Sequence, residues 1–319
     1  MSDACPSPDS DYSNESQKPR YDVVIVGGGP AGLSAALVLG RCLRKVLICD
    51  EGQPRNSRAE ALKGFLTRDY TPPHELLRSA REELKRYDSV EFLVAKVMNV
   101  QSSQSGFETA VSGRDPVISR RLLLATGLID EIPAIQGFDE LYGKSVFLCP
   151  YCDAWDVAGK PLAIYGKGER AMEMSRALTA WSKNLILFTD GDSGLTEENK
   201  QQLKRNSIEL YEENIEQLAG EKGMLKAVVL SNGRHIEREA LFFDTPSYQR
   251  SDLAIKLGCE FRNERAVNTH QYDYEATNIP GLYAAGNNTG DVIFAIIAAA
   301  EGARAAFGIN KSLTREDLL

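Results

Sequence analysis

Apolar residues mark two separate strand, turn and helix patterns along this chain. In the first, Tyr21 to Val26 is a β-branched run whose continuous apolarity is typical of a buried parallel strand. It leads into the glycine-rich stretch Gly27 to Gly32, and a helix is predicted from about Ala31 to Gly40. A second strand, Lys45 to Asp50, ends in an acid. This order is that of a βαβ unit in a nucleotide-binding sheet.

The second pattern lies in the middle of the chain. Pro161 to Tyr165 predicts a strand, Gly166 to Ala171 a glycine turn that enters a helix, and Asn184 to Phe188 the next strand. Asp50 and Asp190 each follow their glycine turn by roughly 20 residues, as expected for a carboxylate that hydrogen-bonds ribose hydroxyls. Two nucleotide-binding units are therefore predicted.

The glycine spacing gives the first turn a physical reason. Gly27, Gly29 and Gly32 fit the pattern G-x-G-x-x-G, in which one glycine makes a tight turn, one allows close approach of a pyrophosphate, and one packs helix on strand. The pyrophosphate would lie at the helix N-terminus, where N–H groups and the helix dipole favour negative charge. The alternative is a plain glycine-rich turn, which the surrounding strand, helix and acid disfavour.

The residues that follow the predicted strand Asn184 to Phe188 bear on which nucleotide the second unit binds. NADP-selective sites carry an Arg near this point to bind the 2′-phosphate, whereas the stretch Thr189 to Asp192 supplies carboxylates. Asp190 would repel a phosphate dianion. We therefore expect NADH or another ADP-bearing cofactor rather than NADPH at the second turn.

Between the two turns stands the sequence Cys149-Pro150-Tyr151-Cys152-Asp153. Thiols at C-x-x-C spacing can close a disulfide that exchanges electron pairs. A structural zinc site usually needs four Cys or His ligands, so a single pair predicts redox chemistry and no metal. The other cysteines are scattered: Cys5, Cys42, Cys49 and Cys259. Of these, the last three are expected to pack as small hydrophobes.

Composition narrows the class of protein. The 319 residues are 43% hydrophobic and 26% charged, which is enough chain for two globular domains. The net charge of -8 argues against nucleic acid or an anionic membrane as the main partner. No apolar stretch has the length of a membrane span, and residues 1–20 predict a mobile polar arm without a signal peptide. A cytoplasmic protein is expected.

The order of the motifs resembles that of the low-molecular-weight thioredoxin reductases, a class of pyridine nucleotide-disulfide oxidoreductases. The resemblance covers about residues 21–308 and rests on the two glycine turns, the C-x-x-C-D sequence, Ala125-Thr126-Gly127, and the stretch Gly281 to Gly286. It implies an α/β fold with two Rossmann-like, three-layer ββα domains, the second inserted into the first.

The same resemblance implies domain boundaries and roles for the thiols. Residues 21–128 and 251–319 would form the FAD-binding domain, and residues 129–250 an inserted pyridine-nucleotide-like domain that carries the thiols and swivels against it. Cys152 would be the thiol next to the flavin, Cys149 the thiol that attacks the partner disulfide, and Asp153 the proton carrier. The candidate cofactor-binding residues are Gly27, Gly29, Pro30, Ala31, Gly32, Asp50, Glu51, Val97, Ala125, Thr126, Gly127, Gly286, Asn287, Phe294 and Ala295 for FAD, and Gly166, Gly168, Glu169 and Asp190 for the second nucleotide.

Several positions depart from the family pattern. Gly286-Asn287 replaces the family's Gly-Asp, and about Phe294-Ala295 replaces an Arg-Gln pair in a helix predicted to begin at Asp291. Tyr151 and Trp155 place aromatic area beside the thiols, unless both simply pack inside. The basic cluster that reads NADPH is missing, as in relatives that use ferredoxin, a second FAD or thiol substrates.

The sequence thus predicts a FAD-dependent disulfide oxidoreductase, a homodimer by resemblance. Electrons would pass through FAD to Cys149 and Cys152, and on to a thioredoxin-like protein or a small disulfide. The donor would be NADH, ferredoxin or a second FAD rather than NADPH. Two alternatives stay open: a flavin thiol oxidase with oxygen as acceptor, and a flavin redox sensor without turnover.

Overall fold

The computed structural model describes residues 18, 20–103, 105–263, 265–290 and 292–319. Nearly all of the predicted arm, residues 1–20, lies outside the described residues, as does Asp291. The chain forms two compact units. The outer unit comprises the described residues up to Arg55 with His74–Ile129 and Tyr248–Leu319, and the inserted unit comprises Asn56–Pro73 and Asp130–Ser247.

The outer unit is built on a parallel sheet with an antiparallel branch. Its strands are β1 Arg20–Val26, β2 Val46–Asp50, β3 Val90–Val94, β4 Val97–Ser103, β5 Gly106–Val111, β6 Val117–Leu124 and β17 Leu282–Ala284. The parallel strands follow the order β3-β2-β1-β6-β17. The first half of β6 also pairs with β5, and β5 pairs with β4, both antiparallel. The predicted strands of the first nucleotide unit therefore lie side by side.

Helices cover the parallel sheet of the outer unit. They are α1 Pro30–Arg41, α2 Pro73–Leu84, α7 Leu253–Lys256 and α8 Ala295–Asp317, with short 3-10 turns at Gln271–Asp273 and Asn287–Thr289. α1 packs closely on α8, and Gly302 makes this possible because it has no Cβ: a Cβ there would collide with the carbonyl oxygen of Ala31. Small apolar residues on both helices then bury against β1 and β2 in one core.

The inserted unit repeats this architecture. Its parallel sheet has the order β11-β10-β9-β15-β8, and a separate antiparallel sheet has the order β12-β13-β14. The strands are β8 Val146–Phe147, β9 Leu162–Tyr165, β10 Leu185–Phe188, β11 Glu209–Tyr211, β12 Ile215–Glu221, β13 Met224–Leu230, β14 His235–Glu237 and β15 Ala240–Phe243. The helices are α3 Phe138–Leu141, α4 Pro150–Asp153, α5 Gly168–Leu178 and α6 Glu197–Arg205. β10 and β15 are apolar and buried throughout, as expected of strands covered on both faces.

These observations confirm the predicted α/β class with two Rossmann-like, three-layer units. Two short strands, β7 Leu128–Asp130 and β16 Ser247–Gln249, pair with each other where the chain passes between the units. Among the described helices, none is long and apolar enough to cross a lipid bilayer.

The structure divides the chain differently from the predicted boundaries mainly in one segment, and residues 129 and 248–250 also belong to the outer unit. Asn56–Pro73 lies within the stretch 21–128 assigned to the FAD-binding domain, yet it groups with the inserted unit. Ionic contacts hold it there: Arg58 pairs with Asp139 at 2.6 Å, and Lys63 pairs with Asp153 at 3.1 Å. Apolar periodicity does not reveal contacts of this kind, so the sequence pattern gave no sign of them.

Candidate functional site

Cys149 and Cys152 form a disulfide in the inserted unit, with their Cα atoms 5.3 Å apart. Cys149 is the N-cap of α4, and its Sγ accepts a hydrogen bond from the backbone N–H of Cys152 at 3.2 Å. Pro150 follows at the first helical position, where its missing N–H has no intrahelical partner to lose. The C-x-x-C sequence therefore places the two sulfurs on a single helical turn.

Asp153 lies next to the disulfide and is largely buried. Burial raises the pKa of its carboxyl above the ordinary value, although Lys63, 3.1 Å away, opposes this shift. Lys63 also contacts Asp156 directly, and the Tyr70 hydroxyl donates to Asp156 at 2.5 Å. Burial opposes a low pKa at Asp156, but the hydrogen bonds from Lys63 and Tyr70 hold it below its usual range. Two neighbouring carboxyls thus have pKa values shifted in opposite directions.

Aromatic side chains flank the disulfide on the surface. Tyr151 is 69% exposed and Trp155 73% exposed, so the alternative that both pack inside is wrong. The Tyr151 ring meets the edge of Trp181 with ring centroids 5.6 Å apart, which fixes one side of the exposed ring. Aromatic surface is therefore available beside the thiols.

The remaining described cysteines differ in exposure. Cys49 and Cys259 are buried as predicted, and burial raises the pKa of their thiols to about 12 and about 11. Cys42 is exposed, so its predicted packing is wrong: α1 ends at Arg41 and Cys42 caps it at the surface. The two buried thiols are unreactive at neutral pH, because the thiolate is the nucleophilic form.

The first glycine turn fits a dinucleotide at each of its three glycines. Gly27 has φ +111°, and a Cβ there would collide with the carbonyl oxygen of Ala125. A Cβ on Gly29 would meet no atom within 4 Å, so its backbone can be approached closely. A Cβ on Gly32 would collide with the carbonyl oxygen of Gly27, which explains the close packing of α1 on β1. Pro30 and Ala31 open α1 directly after the turn.

Asp50 ties the end of β2 to this turn. Its Oδ1 accepts the N–H of Gly28 at 3.0 Å, and its Oδ2 pairs with Arg81 of α2 at 2.8 Å. Glu51 follows, exposed, with its carboxylate 3.5 Å from Lys96, and the buried Val97 comes next in the chain after Lys96. Each carboxylate oxygen has a second lone pair, so Asp50 keeps the capacity to accept a ribose hydroxyl.

Two further stretches reach the first turn. Ala125, Thr126 and Gly127 follow β6, and the N–H of Ala125 donates to the carbonyl of Val26 at 2.8 Å. Gly286 and Asn287 follow β17, and a Cβ on Gly286 would stand 3.1 Å from that of Ala31. The four stretches therefore meet in the outer unit.

Glu301 of α8 holds the turn at Gly286, although the sequence analysis did not select it. The residue is only 7% exposed, and its carboxylate accepts the Gly286 N–H at 2.6 Å and the Thr289 hydroxyl at 3.3 Å. Its sequence signal is a single acid within the small apolar run of α8. The predicted start of that helix at Asp291 is wrong, because α8 begins at Ala295 with Phe294 as extended N-cap.

The second glycine turn lies in the inserted unit and is supported by the loop after β10. The N–H of Gly168, at φ +61°, donates to the carbonyl of Ser193 at 2.9 Å, and the N–H of Gly166 donates to that of Phe188 at 3.3 Å. Asp190 adopts φ +51°, and its Oδ1 accepts the N–H of Ile215 at 2.7 Å. The predicted ribose acid is thus held by β12.

Both arginines of α5 near this turn have carboxylate partners, whereas Lys167 of the turn donates to the backbone carbonyl of Asp190 at 3.1 Å. Arg170 binds Asp244, and Arg176 binds Glu169 at 2.7 Å. Hydrogen bonds from Arg176 and Asn199 lower the pKa of the exposed Glu169. The two arginines of α5 therefore have carboxylate partners within the inserted unit.

Comparison with known proteins identifies the family. The family described as "Pyridine nucleotide-disulphide oxidoreductase" matches residues 21–304. This chain belongs to that family. The oxidoreductase is 28% identical over 309 residues to thioredoxin reductase aclD of Aspergillus oryzae, which covers 94% of this chain and 98% of that protein.

Solved structures agree with this assignment. The protein TrxB of Bacillus anthracis is 33% identical, with a TM-score of 0.87 over 93% of this chain and 99% of that one. The thioredoxin reductase of Streptococcus pyogenes, at 20% identity and a TM-score of 0.86, covers 94% and 100% and shows the same fold. Together, the family and these relatives support an oxidoreductase of the thioredoxin reductase type that uses FAD.

Proposed function

We propose that the protein is a FAD-dependent disulfide oxidoreductase that reduces a thioredoxin-like protein or a small disulfide through Cys149 and Cys152. The observation that carries this proposal is the disulfide on α4, beside a buried carboxyl, in a chain of this family. FAD, when bound, supplies a carrier that accepts and delivers an electron pair.

The geometry supports separate roles for the two sulfurs. The N–H of Cys152 points at Sγ of Cys149, and a hydrogen bond of this kind stabilises negative charge on sulfur. Cys149 is therefore the thiol that attacks the partner disulfide as a thiolate, and Cys152 the thiol that faces the flavin. Asp153 holds and returns the proton that this exchange moves, and its raised pKa suits that task.

We assign FAD to the outer unit. The first glycine turn and the start of α1 would hold the pyrophosphate, with Asp50 and Glu51 on the ribose and Val97 near them. Ala125, Thr126 and Gly127 would border the cofactor, Gly286 and Asn287 would bind its ribityl chain, and Phe294 and Ala295 would offer the N-terminus of α8 to its pyrimidine edge. The fit of all three glycines in the turn supports this assignment.

For the donor we propose NADH at the second glycine turn, contacted by Gly166, Gly168, Glu169 and Asp190. The loop after β10 carries Asp190 and Asp192, and the arginines of α5 are paired with Asp244 and Glu169. A 2′-phosphate would meet carboxylates there, so NADPH is disfavoured. A second FAD at this turn and a ferredoxin donor are the alternatives.

The partner surface follows from the exposed aromatics. Tyr151 and Trp155 present amphipathic area of the kind enriched at protein interfaces. A thioredoxin-like protein or a small disulfide with an apolar flank would bind there.

The proposal also includes a homodimer and a cytoplasmic location, where unpaired thiols such as Cys42 remain reduced.

Anaerobic titration of the purified protein tests the proposed reaction. NADH should bleach the flavin absorbance within one turnover, and NADPH should do so more slowly. Bleaching by dithiols alone, with recovery in oxygen, would establish the thiol oxidase instead. Bleaching without turnover of any disulfide would leave the redox sensor, and released FAD counted per chain separates one flavin from two.

Two single substitutions test the roles of the sulfurs. Cys149→Ser should leave a thiolate beside the flavin, seen as a long-wavelength absorbance band, and Cys152→Ser should not. The opposite pattern would exchange the two assignments. Cys42→Ser serves as the matched control, because that exposed thiol belongs to the outer unit and to no proposed step.

A further inference from the structure

The segment Asn56–Pro73 brings a lysine to the acid beside the disulfide. Lys63 Nζ lies 3.1 Å from Asp153 Oδ1 and contacts Asp156 Oδ2 directly. The side chains of Lys63 and Asp153 are only 16% and 18% exposed, so water screens this contact weakly. Two carboxylates therefore share one ammonium group next to Cys152.

The surroundings of the two carboxyls differ. Burial is the largest single influence on Asp156 and raises its pKa, but the hydrogen bonds from Lys63 and the Tyr70 hydroxyl together outweigh it and hold the pKa low. Asp153 receives Lys63 alone, and burial raises its pKa. Carboxyls whose pKa values are pushed apart by their environments take different roles, one as a proton carrier and the other as a permanent anion. Asp156 has the environment of the anion.

Lys63 itself is fixed from several sides. Its ammonium lies 5.6 Å from the ring centre of Tyr70 and 5.9 Å from that of Phe147, within the range of cation–π attraction. Among the described residues of the inserted unit, the charged groups that face Lys63 are Asp153 and Asp156. The charged groups that shift the pKa of Asp153 are Lys63 and Asp156. The lysine cannot move without losing contacts to all four side chains.

We propose that Lys63 is a positioning residue for the disulfide centre: anchored by Asp156 and Tyr70, its ammonium fixes the Asp153 carboxylate and sets the pH at which it carries a proton. This inference rests on the role of Asp153 given under Proposed function. Reduction of the Cys149–Cys152 disulfide consumes two electrons and two protons, and a dithiol reductant that supplies them becomes a disulfide. Lys63 takes no part in the electron transfer.

Anaerobic reduction of the holoenzyme by dithiothreitol, without NADH or NADPH, tests this role. Free thiols are trapped by alkylation at set times and counted by mass spectrometry across a range of pH. The step in the pH profile that Asp153→Asn removes belongs to Asp153. Lys63→Met should move that step up by about 1 pH unit, because an opposite charge at this distance lowers the pKa of an Asp by about 1–3 units.

Three further variants test the direction in which the pH step should move. Asp156→Asn should move the step to lower pH, because the like charge that raises the pKa of Asp153 is gone. Lys63→Arg keeps the positive charge and should stay near the wild-type profile. Lys160→Met removes an exposed lysine of the same unit, paired with Glu239 at 3.0 Å, and should change nothing. Thermal unfolding of each variant identifies any that misfolds.

Three results would overturn the proposal. They are a profile of Lys63→Met that matches Lys160→Met, a profile of Lys63→Arg that matches Lys63→Met, and an Asp153→Asn variant that loses no step. The test contains no NADH. If NADH fails to reduce the flavin in a separate titration, that failure contradicts the proposed donor and leaves the result for Lys63 unchanged. An unshifted profile in an enzyme that turns over with NADH would contradict the role of Lys63 alone.

Discussion

The two glycine turns share one sequence pattern but are built from different parts of the chain. The first is enclosed by residues from distant stretches: Ala125 meets Gly27, Gly286 meets Ala31, and Gly302 packs on Ala31. The second is held within the inserted unit, by Ser193 and Asp190 of the following loop and by Asp244 after β15. The first turn has no room for a Cβ at its first and third positions, which suits a cofactor that stays bound. The second turn meets only a 3.3 Å contact at Gly166 and carries Ala171 at its third position, which suits a nucleotide that exchanges. A shared motif therefore does not imply a shared use.

The third position of each turn offers the strongest way to break this comparison. Gly32→Ala forces a Cβ into the carbonyl oxygen of Gly27, and overpacking of this kind costs about 1–3 kcal/mol of stability. FAD retained after purification should fall about fivefold or more, since about 1 kcal/mol is a factor of about five. Absorbance of released flavin and denaturant unfolding measure both effects.

The second turn supplies the matched control, because Ala171 already carries a Cβ at that position and is fully buried. Ala171→Gly should cost about 1 kcal/mol through helix propensity and leave the FAD content unchanged. Equal loss of FAD in the two variants would show that the turns do not differ in the way described.

Glu301 offers the next largest effect, because the second turn has no comparable buried acid among the contacts described for it. Glu301→Ala removes the acceptor of the buried Gly286 N–H, whereas the Thr289 hydroxyl keeps the Gly286 carbonyl at 2.8 Å; an unsatisfied buried group costs about 1–3 kcal/mol. Lower unfolding free energy and faster FAD release are expected. Glu301→Gln keeps one acceptor oxygen and should lose less. If both variants behave as wild type, Glu301 has no part in holding the Gly286 turn.

Much of this architecture could be predicted from local sequence. Short apolar runs, glycine spacing and an acid after the next strand are signals within about 30 residues, and the strands β1, β2, β9 and β10 follow from them. The start of α8 could not be predicted as well. Apolar residues continue upstream of Ala295, which favours an earlier helix start, but the backbone at Phe294 is extended. Only tertiary contacts decide whether such residues continue the helix or precede it.

The site divides in the same way. The disulfide and the glycine roles follow from residue spacing, whereas Lys63, Arg81 and Glu301 act through contacts between segments far apart in the chain. A lysine or arginine on a polar stretch carries no local sign of its partner. Glu301 is the exception that the sequence could have revealed, because a lone acid in an apolar helix needs a hydrogen-bond donor when it is buried.

The acids near the two turns have different partners: Asp50 forms an ion pair with Arg81, whereas Asp190 accepts a backbone N–H. Substitution of Arg81 tests whether that ion pair matters for FAD binding. Arg81→Met removes the ion pair with Asp50 but keeps apolar contact with Phe92, whose ring centre lies 4.6 Å from the guanidinium carbon. For a partly exposed pair we expect a loss of up to about 1 kcal/mol, or about fivefold weaker FAD binding. Flavin fluorescence on dilution measures it. Lys85→Met, which removes an exposed lysine just after α2, is the control, and equal affinity in both variants would contradict a role for Arg81.

Asp192 gives the smallest expected effect and concerns the second turn alone. Asp190 is unsuitable for substitution because its carboxylate accepts the N–H of Ile215, whereas Asp192 is exposed and accepts only a local N–H, from Gly194 at 3.1 Å. Asp192→Arg places a cation where NADP-selective sites carry one, and an exposed pair should raise the ratio of NADPH to NADH activity by about threefold. Glu198→Arg changes the same charge on the exposed surface of α6 and should leave the ratio unchanged. Since screening weakens exposed pairs, the gain at Asp192 should fade in high salt, and a gain that persists there would point to a rearranged loop rather than to the charge.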